Sequence, residues 1–440
     1  MPGEEPEDFE EMLRKLFENG EQFDITEFAK AAGLPADPAA LEAMLKQFRQ
    51  AMEQGEEGIS EKLVRETATS IANKGAVPQG SKAIETADSA LKLAALWLDE
   101  ATGISPLAAT PTTLTRAEWV RATLPVWIQI AHPVANSISG AAENALKDQL
   151  AEDYEQEART AFTALRKVGG TLFSMQLGQI LGQISAEVLS GGDIGIPLLD
   201  GKLEHELRAV LIPQNVVDFA NGLDISIEDV ALYLAIREIA HARLFKHAKW
   251  LKHSLITSIT GYANGISIDT ESMREALESI DLSDSEALRR VVSDGSLIPP
   301  KTDEQRIALG QIETVLALVE GWVDVVSDEA ASRLPSRGAI SEMIRRNRAA
   351  GRPGERSLSG LIGIDARPRR LREAAAMWKQ IGDAIGKERR DDIWTHPDLL
   401  PTADDITDPS SLLARLKSPV TEPDDFDAEL RKMLDEDSSG

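Results

Sequence analysis

The chain has 440 residues, and 42% of them are hydrophobic, which is enough for a sizeable core in two or three domains or in one large helical domain. Its formal net charge of −26 at pH 7 argues against nucleic acids and anionic membranes as partners, because both would repel so acidic a protein. The lack of cysteine excludes disulfides and thiolate ligands, so a bound metal would need histidine and carboxylate side chains.

The N-terminal residues form neither a basic nor an apolar run, which argues against a signal peptide. Apolar runs along the chain stay short of the ~18 residues that a membrane-spanning helix needs. The glycine patterns of nucleotide-binding loops and the G-x-S-x-G pattern of serine hydrolases do not occur. We therefore expect a cytoplasmic protein without a membrane span.

Both ends of the chain are acidic. Residues 1–81 are expected to form a weakly helical, partly disordered segment, since residues 1–20 carry seven acids against two bases and large apolar residues are sparse. Residues 416–440 form an acidic tail. A Glu-Pro-x-Asp-Phe pattern followed by Leu-Arg-Lys occurs near both ends, which suggests docking helices for one protein partner at residues 6–17 and 423–434. Ordinary helix capping in acidic sequence is the alternative interpretation.

Residues 82–415 are predicted to form one mainly helical domain with few strands. Apolar residues at three- and four-residue spacing predict helices over residues 83–101, 116–130, 150–168 and 172–189. Gly178 and Gly182 lie four residues apart in the last of these helices, so another helix could approach its backbone closely. Breaks that contain proline and glycine punctuate the helices without a change of composition, which favours a single domain.

The segment from Arg237 to His241 reads R-E-x-x-H, which differs from the H-E-x-x-H of zinc metallopeptidases only at its first position. Ser226 and Asp229 form a capping signature, and apolar spacing predicts a helix over residues 227–244. Arg237, Glu238 and His241 then lie within about one helical turn. In the intact motif both histidines bind zinc, and the glutamate activates the metal-bound water.

A second pair of candidate residues, Glu320 and Asp324, lies four positions apart in an apolar helix. Buried carboxylates need a cation or hydrogen-bond donors, and either zinc or Arg237 would satisfy them. A guanidinium about 4 Å from a zinc dication would cost about 8 kcal/mol at an effective dielectric constant near 20, so the two cations are nearly exclusive.

Two arrangements follow from this competition. If Arg237 points inward, it can form a buried ion cluster with Glu238, Glu320 and Asp324 without metal. If it points outward, zinc would keep His241 and one or two carboxylates and would need a further ligand. The candidates for that ligand are Asp324, His205 and His396.

Other conspicuous residues receive structural interpretations. His247 and His253 continue a six-residue spacing after His241, but residues six apart point to different helix faces, so we expect both at the surface. Trp119, Trp127, Trp322 and Trp378 are expected in the core. The cationic groups at Arg345, Arg346 and Arg348 and at residues 367–372 are expected to be solvated helix faces, with anchoring of the acidic ends as the alternative.

Four segments together resemble the actinobacterial zincin-like metallopeptidase family, whose members are often labelled hydrolases. They read LYLAIREIAHARLF (232–245), LVEGWVD (318–324), RPRRLREA (367–374) and W-x-HPDLLP (394–401), and the resemblance covers roughly residues 82 to 410. The sequence is similar to the branch in which arginine replaces the first zinc histidine.

The resemblance implies a zincin-type helical fold with zinc as cofactor and a peptide or protein as substrate. It implies His241 and Glu320 as metal ligands and Glu238 as the general base, while Arg237 and Asp324 support or replace the metal. Three hypotheses follow: an active peptidase; an inactive relative that serves as a protein-binding module; and a different hydrolase, in which Arg237 binds a substrate carboxylate or phosphate beside Glu238.

Overall fold

The computed structural model describes residues 58–77, 80–147, 155–199, 208–266, 301–365 and 367–417. The two motifs proposed for docking, at residues 6–17 and 423–434, lie outside the described residues, as does His205. The fold is mainly helical, which confirms the predicted class. No helix within the described residues is both long and apolar enough to cross a bilayer.

The helices, in chain order, are α1 (Glu61–Lys74), α2 (Ser81–Leu98), α3 (Arg116–Lys147), α4 (Glu155–Glu187), α5 (Pro213–Asn221), α6 (Ile227–His247), α7 (Lys249–Asn264), α8 (Asp303–Ala330), α9 (Arg337–Ala350), α10 (Pro353–Ile362), α11 (Leu371–Ile385), α12 (Lys387–Asp392), α13 (Ala403–Thr407) and α14 (Ser410–Lys417). Short 3-10 helices cover Ala331–Arg333, Ile393–Thr395 and Pro397–Leu399. Strand β1 (Thr112–Thr113) pairs in parallel with β2 (Val210–Leu211), with Thr112 opposite Val210.

The chain divides into two compact units. One consists of residues 1–63, 138–173 and 267–300, and the other of residues 64–137, 174–266 and 301–440. In the first unit, a Cβ atom on Gly170 would lie 2.3 Å from the carbonyl oxygen of Gly58. This close backbone approach explains the glycine at position 170. Gly170 lies in helix α4, a single helix where the sequence predicted two, over residues 150–168 and 172–189.

Helix α3 also departs from the prediction. It was expected to end at residue 130, but it runs to Lys147 and contains Pro125 and Pro133. Proline normally removes one helix hydrogen bond and kinks or ends the helix, which is why the sequence pattern favoured an end at residue 130.

The second unit contains the predicted close helix approach. Cβ atoms on Gly178 and Gly182 would lie 2.7 Å from Thr67 Cβ and 2.6 Å from Ile71 Cβ, so these glycines of α4 let α1 pack against its backbone. Helix α1 precedes residue 82, where the sequence placed the start of the domain, and its Val64 is fully buried. The boundaries at residues 82 and 415 remain predictions.

Helix α6 lies at the centre of the second unit. It packs against α2, α5 and α8, and all of its residues from 230 to 245 except Arg237 are buried. A helix that is covered on all sides is expected to be apolar around its circumference, and this one is, apart from a few charged residues. Its start is set by Ser226, whose side chain accepts a hydrogen bond from the Asp229 backbone at 3.1 Å, as the capping signature predicted.

Helix α8 packs against α6, α7 and α11, and it brings its apolar face and its acidic pair into the same core. The four tryptophans expected in the core are 0–1% exposed, which confirms their assignment; they are Trp119, Trp127, Trp322 and Trp378. His247 and His253 are exposed, as predicted. The core therefore holds α6 and α8 side by side and fixes the positions of the charged residues between them.

Candidate functional site

Arg237 points inward, between the two carboxylates of α8. Its Nη2 atom lies 2.9 Å from Glu320 Oε2, and its Nη1 atom lies 3.3 Å from Asp324 Oδ1. The side chains are 11%, 3% and 2% exposed respectively. Burial alone would lower the pKa of Arg237, but the two carboxylates outweigh burial and raise it, so the guanidinium stays charged.

Further arginines occupy the remaining oxygens of both carboxylates. Arg345 donates to Asp324 Oδ2 from Nε at 3.0 Å and from Nη2 at 2.8 Å. Arg348 Nη2 lies 3.1 Å from Glu320 Oε1, and its Nη1 lies 3.3 Å from Glu355 Oε1. Glu320 and Asp324 are therefore each held between two guanidinium groups.

Six side chains form one connected ion cluster: Arg345, Asp324, Arg237, Glu320, Arg348 and Glu355. Their charges alternate along the chain of contacts and sum to zero, and they join α6, α8, α9 and α10. The expectation of a solvated face was wrong for Arg348, which is 2% exposed, because it supplies the cation that the buried Glu320 needs. Arg346, between the two cluster arginines, is 69% exposed.

Glu238 stands apart from the ion cluster, contrary to the arrangement that the sequence suggested. Its Oε2 accepts a hydrogen bond from the Gly192 backbone at 2.8 Å, and its Oε1 accepts one from the Val210 backbone at 2.9 Å. The residue is 3% exposed. Burial raises its pKa to about 7, although these bonds and one from the Ser190 hydroxyl act in the opposite direction. Glu238 thus ties α6 to β2 and to the loop after α4.

His241 is 5% exposed, and its Nε2 atom has no hydrogen-bond partner among the residues that the structure describes. Burial lowers its pKa to about 3, and a hydrogen bond to the Gly195 backbone only partly offsets this effect. The positive charges of Arg348 and Arg237 lower the pKa further. The imidazole is therefore neutral at physiological pH.

A glycine loop, residues 190–195, covers these side chains. A Cβ atom on Gly191 would lie 2.7 Å from Glu238 Oε1, and one on Gly192 would lie 2.2 Å from His241 Nδ1. Gly195 adopts φ +82°, a conformation that favours glycine, and a Cβ there would be 3.0 Å from Glu320 Oε1. The sequence indicated only a helix stop here, but the glycines also allow the backbone to pack directly on the buried site.

The glycine loop is held in place by charge and by backbone pairing. Asp193 forms an ion pair with Arg352 and accepts a hydrogen bond from the Leu189 backbone at 2.9 Å. Burial would raise the pKa of Asp193, but Arg352 and Arg348 lower it overall, so the carboxylate is ionised. The backbone N–H of Gly191 donates to the Val210 carbonyl at 3.1 Å. The loop is therefore a fixed part of the site.

The remaining candidate ligand in the described residues, His396, is not brought to the site. Its side chain is 62% exposed, and its Nδ1 lies 3.4 Å from Asp398. Sequence reasoning missed the roles of Arg348, Glu355 and Gly192. The paired glycines at 191 and 192 and the arginines at 345 and 348 were visible in the sequence, but their meeting with α6 depends on long-range packing.

Comparison with known protein families shows which family this chain belongs to. The model of a family described as zincin-like metallopeptidase matches residues 59–413. The chain belongs to this family. The match includes α1, the glycine loop and every residue of the ion cluster.

A solved structure shares the fold. It is that of a "putative hydrolase with a novel fold" from Chloroflexus aurantiacus, with 19% sequence identity and a TM-score of 0.53. The alignment covers 82% of this chain and 99% of the other. At this identity the similarity establishes the fold alone. A comparison with curated proteins found no match.

Zinc is the metal that the family implies in general, and its fit can be tested against the donor atoms. Both oxygens of Glu320 and both of Asp324 bind guanidinium groups, and both oxygens of Glu238 accept backbone hydrogen bonds. Among the candidate donor atoms of Glu238, His241, Glu320 and Asp324, the one that lacks a hydrogen-bond partner in the described part of the chain is His241 Nε2, whereas a zinc site needs at least three protein ligands. In the described ranges no three His, Asp or Glu residues are grouped to hold a metal ion. This arrangement does not fit zinc.

Proposed function

We propose that this protein is a metal-independent member of its family that does not hydrolyse peptides and acts by binding a peptide or protein partner. The observation that carries the proposal is the position of Arg237 between Glu320 and Asp324, at 2.9 and 3.3 Å. In this interpretation the guanidinium takes the place of the metal cation.

Electrostatics explains why the two cations exclude each other. Zinc would bind a carboxylate oxygen at about 2.0–2.2 Å, so zinc on Glu320 would lie within about 5 Å of the Arg237 guanidinium. Repulsion at such a distance costs several kcal/mol even at an effective dielectric constant near 20. Arg237 would have to leave both carboxylates before a metal could bind.

The position of Glu238 also disfavours catalysis. A general base must face the proton that it takes up, with an oxygen free to accept it. Both Glu238 oxygens already accept backbone hydrogen bonds, and the glycine loop lies against them. The geometry therefore gives Glu238 a structural task, and binding of a peptide or protein without hydrolysis is the role that we propose.

A zinc peptidase is the second candidate, and two observations favour it. His241 Nε2 has no partner in the described part of the chain, as an unused ligand atom would. Burial raises the pKa of Glu238 to about 7, which suits a general base at neutral pH. This alternative requires Arg237 to move outward and a further ligand to join His241.

The metal content of the purified protein separates the two candidates. Wild type, Arg237→His and the control Arg346→His would be purified without chelator or histidine tag and measured for zinc by plasma mass spectrometry. Arg346 lies on α9 and is 69% exposed, so its variant adds an imidazole away from the buried site. We expect zinc at stoichiometric level in Arg237→His alone, and no peptidase activity in wild type with or without added zinc.

Two outcomes would overturn the proposal. Stoichiometric zinc in the wild-type protein, with peptide hydrolysis that a chelator abolishes, would establish the second candidate instead. If Arg237→His folds but binds no zinc, the guanidinium does not stand in for a metal cation, and the relation between the ion cluster and the family's metal site would be wrong.

A further inference from the structure

An open cleft lies between α8, α9 and α11, on the outer side of the ion cluster. Its volume is about 440 Å³, within the range of small-molecule sites. Its charged lining residues are Asp328, Glu329, Glu342, Arg345, Arg372 and Lys379, and Asp324 also contributes to its wall. Val325, Ala375 and Ala376 add small apolar surfaces. The cleft therefore presents charges of both signs beside an apolar wall.

One part of the cleft has unused cationic donors. Arg372 Nη2 donates to Glu342 Oε1 at 2.9 Å, while its Nε and Nη1 donate to none of the residues in the described ranges. Arg345 uses Nε and Nη2 on Asp324, and its Nη1 lies 4.0 Å from Glu342. Arg346 also donates to Glu342 at 2.9 Å. Three guanidinium groups thus surround Glu342, and the two that line the cleft, Arg345 and Arg372, have N–H groups left for an anion.

Another part of the cleft is anionic. Asp328 is 39% exposed, and its carboxylate accepts no hydrogen bond from any residue in the described part of the chain. Its Oδ1 forms an ion pair with Arg337 Nε at 3.6 Å, which is longer than a hydrogen bond. Glu329 is adjacent; it is 43% exposed, and among the described residues only Arg390 donates hydrogen bonds to its carboxylate. These two carboxylates can accept an ammonium group.

We propose that this cleft binds a small zwitterion of the size of a dipeptide, with its carboxylate at Arg345 and Arg372 and its ammonium at Asp328 and Glu329. The spacing supports this size. Asp328 lies one turn of α8 beyond Asp324, to which Arg345 is bound, and one helical turn rises about 5.4 Å. Two extended residues span about 7 Å, so the two charged ends of a dipeptide can reach both groups at once.

Ligands of a single charge fit less well. A phosphate or another anion without a cation would bind the arginines but would be repelled by Asp328, Glu329 and Glu342. A simple cation would gain Asp328 but would be repelled by Arg345, Arg372 and Lys379, which line the cleft. A zwitterion forms charge-assisted hydrogen bonds at both places, and Val325, Ala375 and Ala376 can accept a small apolar side chain.

This inference does not rest on the proposed function, because its test changes residues outside the ion cluster. Binding of alanyl-alanine to the full-length protein would be measured by isothermal titration calorimetry. N-acetyl-alanyl-alanine and alanyl-alaninamide would test the two charged ends separately, and inorganic phosphate would test an anion alone. The variants would be Arg372→Ala and Asp328→Asn. The matched controls are Arg369→Ala and Asp303→Asn, whose side chains are 62% and 80% exposed outside the cleft.

We expect alanyl-alanine to bind with a dissociation constant in the millimolar range or below, and each blocked dipeptide to bind at least about tenfold more weakly. Arg372→Ala and Asp328→Asn should each weaken binding about tenfold or more, while both controls should match wild type. The proposal is overturned by any of three results: no heat of binding up to about 10 mM, equal binding of free and blocked dipeptides, or phosphate binding that Arg372→Ala abolishes while dipeptide binding is absent.

Discussion

Replacing Arg237 with methionine tests the ion cluster directly. The substitution keeps an unbranched apolar stem but removes the cation that joins Glu320 and Asp324, so the cluster changes from neutral to one excess negative charge in a buried setting. Removing one partner of a buried ion pair costs about 3–5 kcal/mol. Because Arg348 and Arg345 still bind the two carboxylates, we expect a loss near the lower end, about 3 kcal/mol in the free energy of unfolding.

The assay is equilibrium urea denaturation, followed by tryptophan fluorescence, at one pH near 7. Arg346→Met is the matched control on the exposed side of α9, and its surface ion pair with Glu342 should contribute less than about 1 kcal/mol. The double variant Arg237→Met/Glu320→Gln should recover part of the loss, because Glu320→Gln removes the uncompensated negative charge. We expect a coupling free energy of about 1–3 kcal/mol between the two substitutions.

The reasoning would be refuted if Arg237→Met were as stable as Arg346→Met. In that case the guanidinium would not be buried between the carboxylates in solution. A loss of the expected size without any coupling to Glu320→Gln would also contradict the argument, because packing of the arginine stem would then explain the whole effect.

Three further predictions concern the surroundings of the site. Burial raises the pKa of Glu238 from 4.5 to about 7, so the folded state favours the protonated carboxyl group. The resulting stabilisation is complete below about pH 4.5, and about 3 kcal/mol of it is lost as the pH rises through 7. Urea denaturation at pH 5 and pH 8 should show this loss in wild type and not in Glu238→Gln. Gly192→Ala should lower the free energy of unfolding by about 1–3 kcal/mol, because its Cβ would lie 2.2 Å from the buried imidazole of His241. Gly310→Ala, which has open space around it on a helix, should be neutral or stabilising by up to about 1 kcal/mol. Thermal melts that rank the two variants in the reverse order would contradict this packing. Asp391→Ala should lower the free energy of unfolding by at least about 3 kcal/mol, because it removes a buried hydrogen-bond acceptor with four donors: the Thr102 hydroxyl, the Gly103 backbone N–H, the Trp322 indole and the Arg390 guanidinium. The control Asp383→Ala, at a side chain that is 69% exposed, should change stability by less than about 1 kcal/mol in the same assay.

Local sequence patterns were enough to predict several parts of the site. The spacing of Arg237, Glu238 and His241 placed them within one turn of a capped helix, and the structure has that helix with the predicted cap at Ser226. The pair Glu320 and Asp324 was predicted in an apolar helix, which required a compensating cation. These inferences succeeded because helical periodicity and capping depend on neighbours in sequence.

The same local reasoning failed where partners are distant in sequence. Arg348 looked like part of a solvated cationic face, yet it is buried against Glu320, 28 residues away along the chain. One of the two arrangements considered from the sequence placed Glu238 in the ion cluster, but its side chain accepts backbone hydrogen bonds from Gly192 and Val210. Backbone N–H groups occur at almost every residue, so no pattern of side chains could indicate which of them a carboxylate would bind.

The sequence by itself determined the mainly helical class and the absence of thiol chemistry, and it placed Arg237 four residues before His241 on one helix. Tertiary structure alone decided where the Arg237 side chain points. It turned Arg237 inward and brought Arg345 and Arg348 from α9 to the opposite oxygens of both acids. The physical reason is that the free energy of a buried charge depends on the sum of the charges packed around it, and those charges come from helices whose contacts form only when the chain has folded.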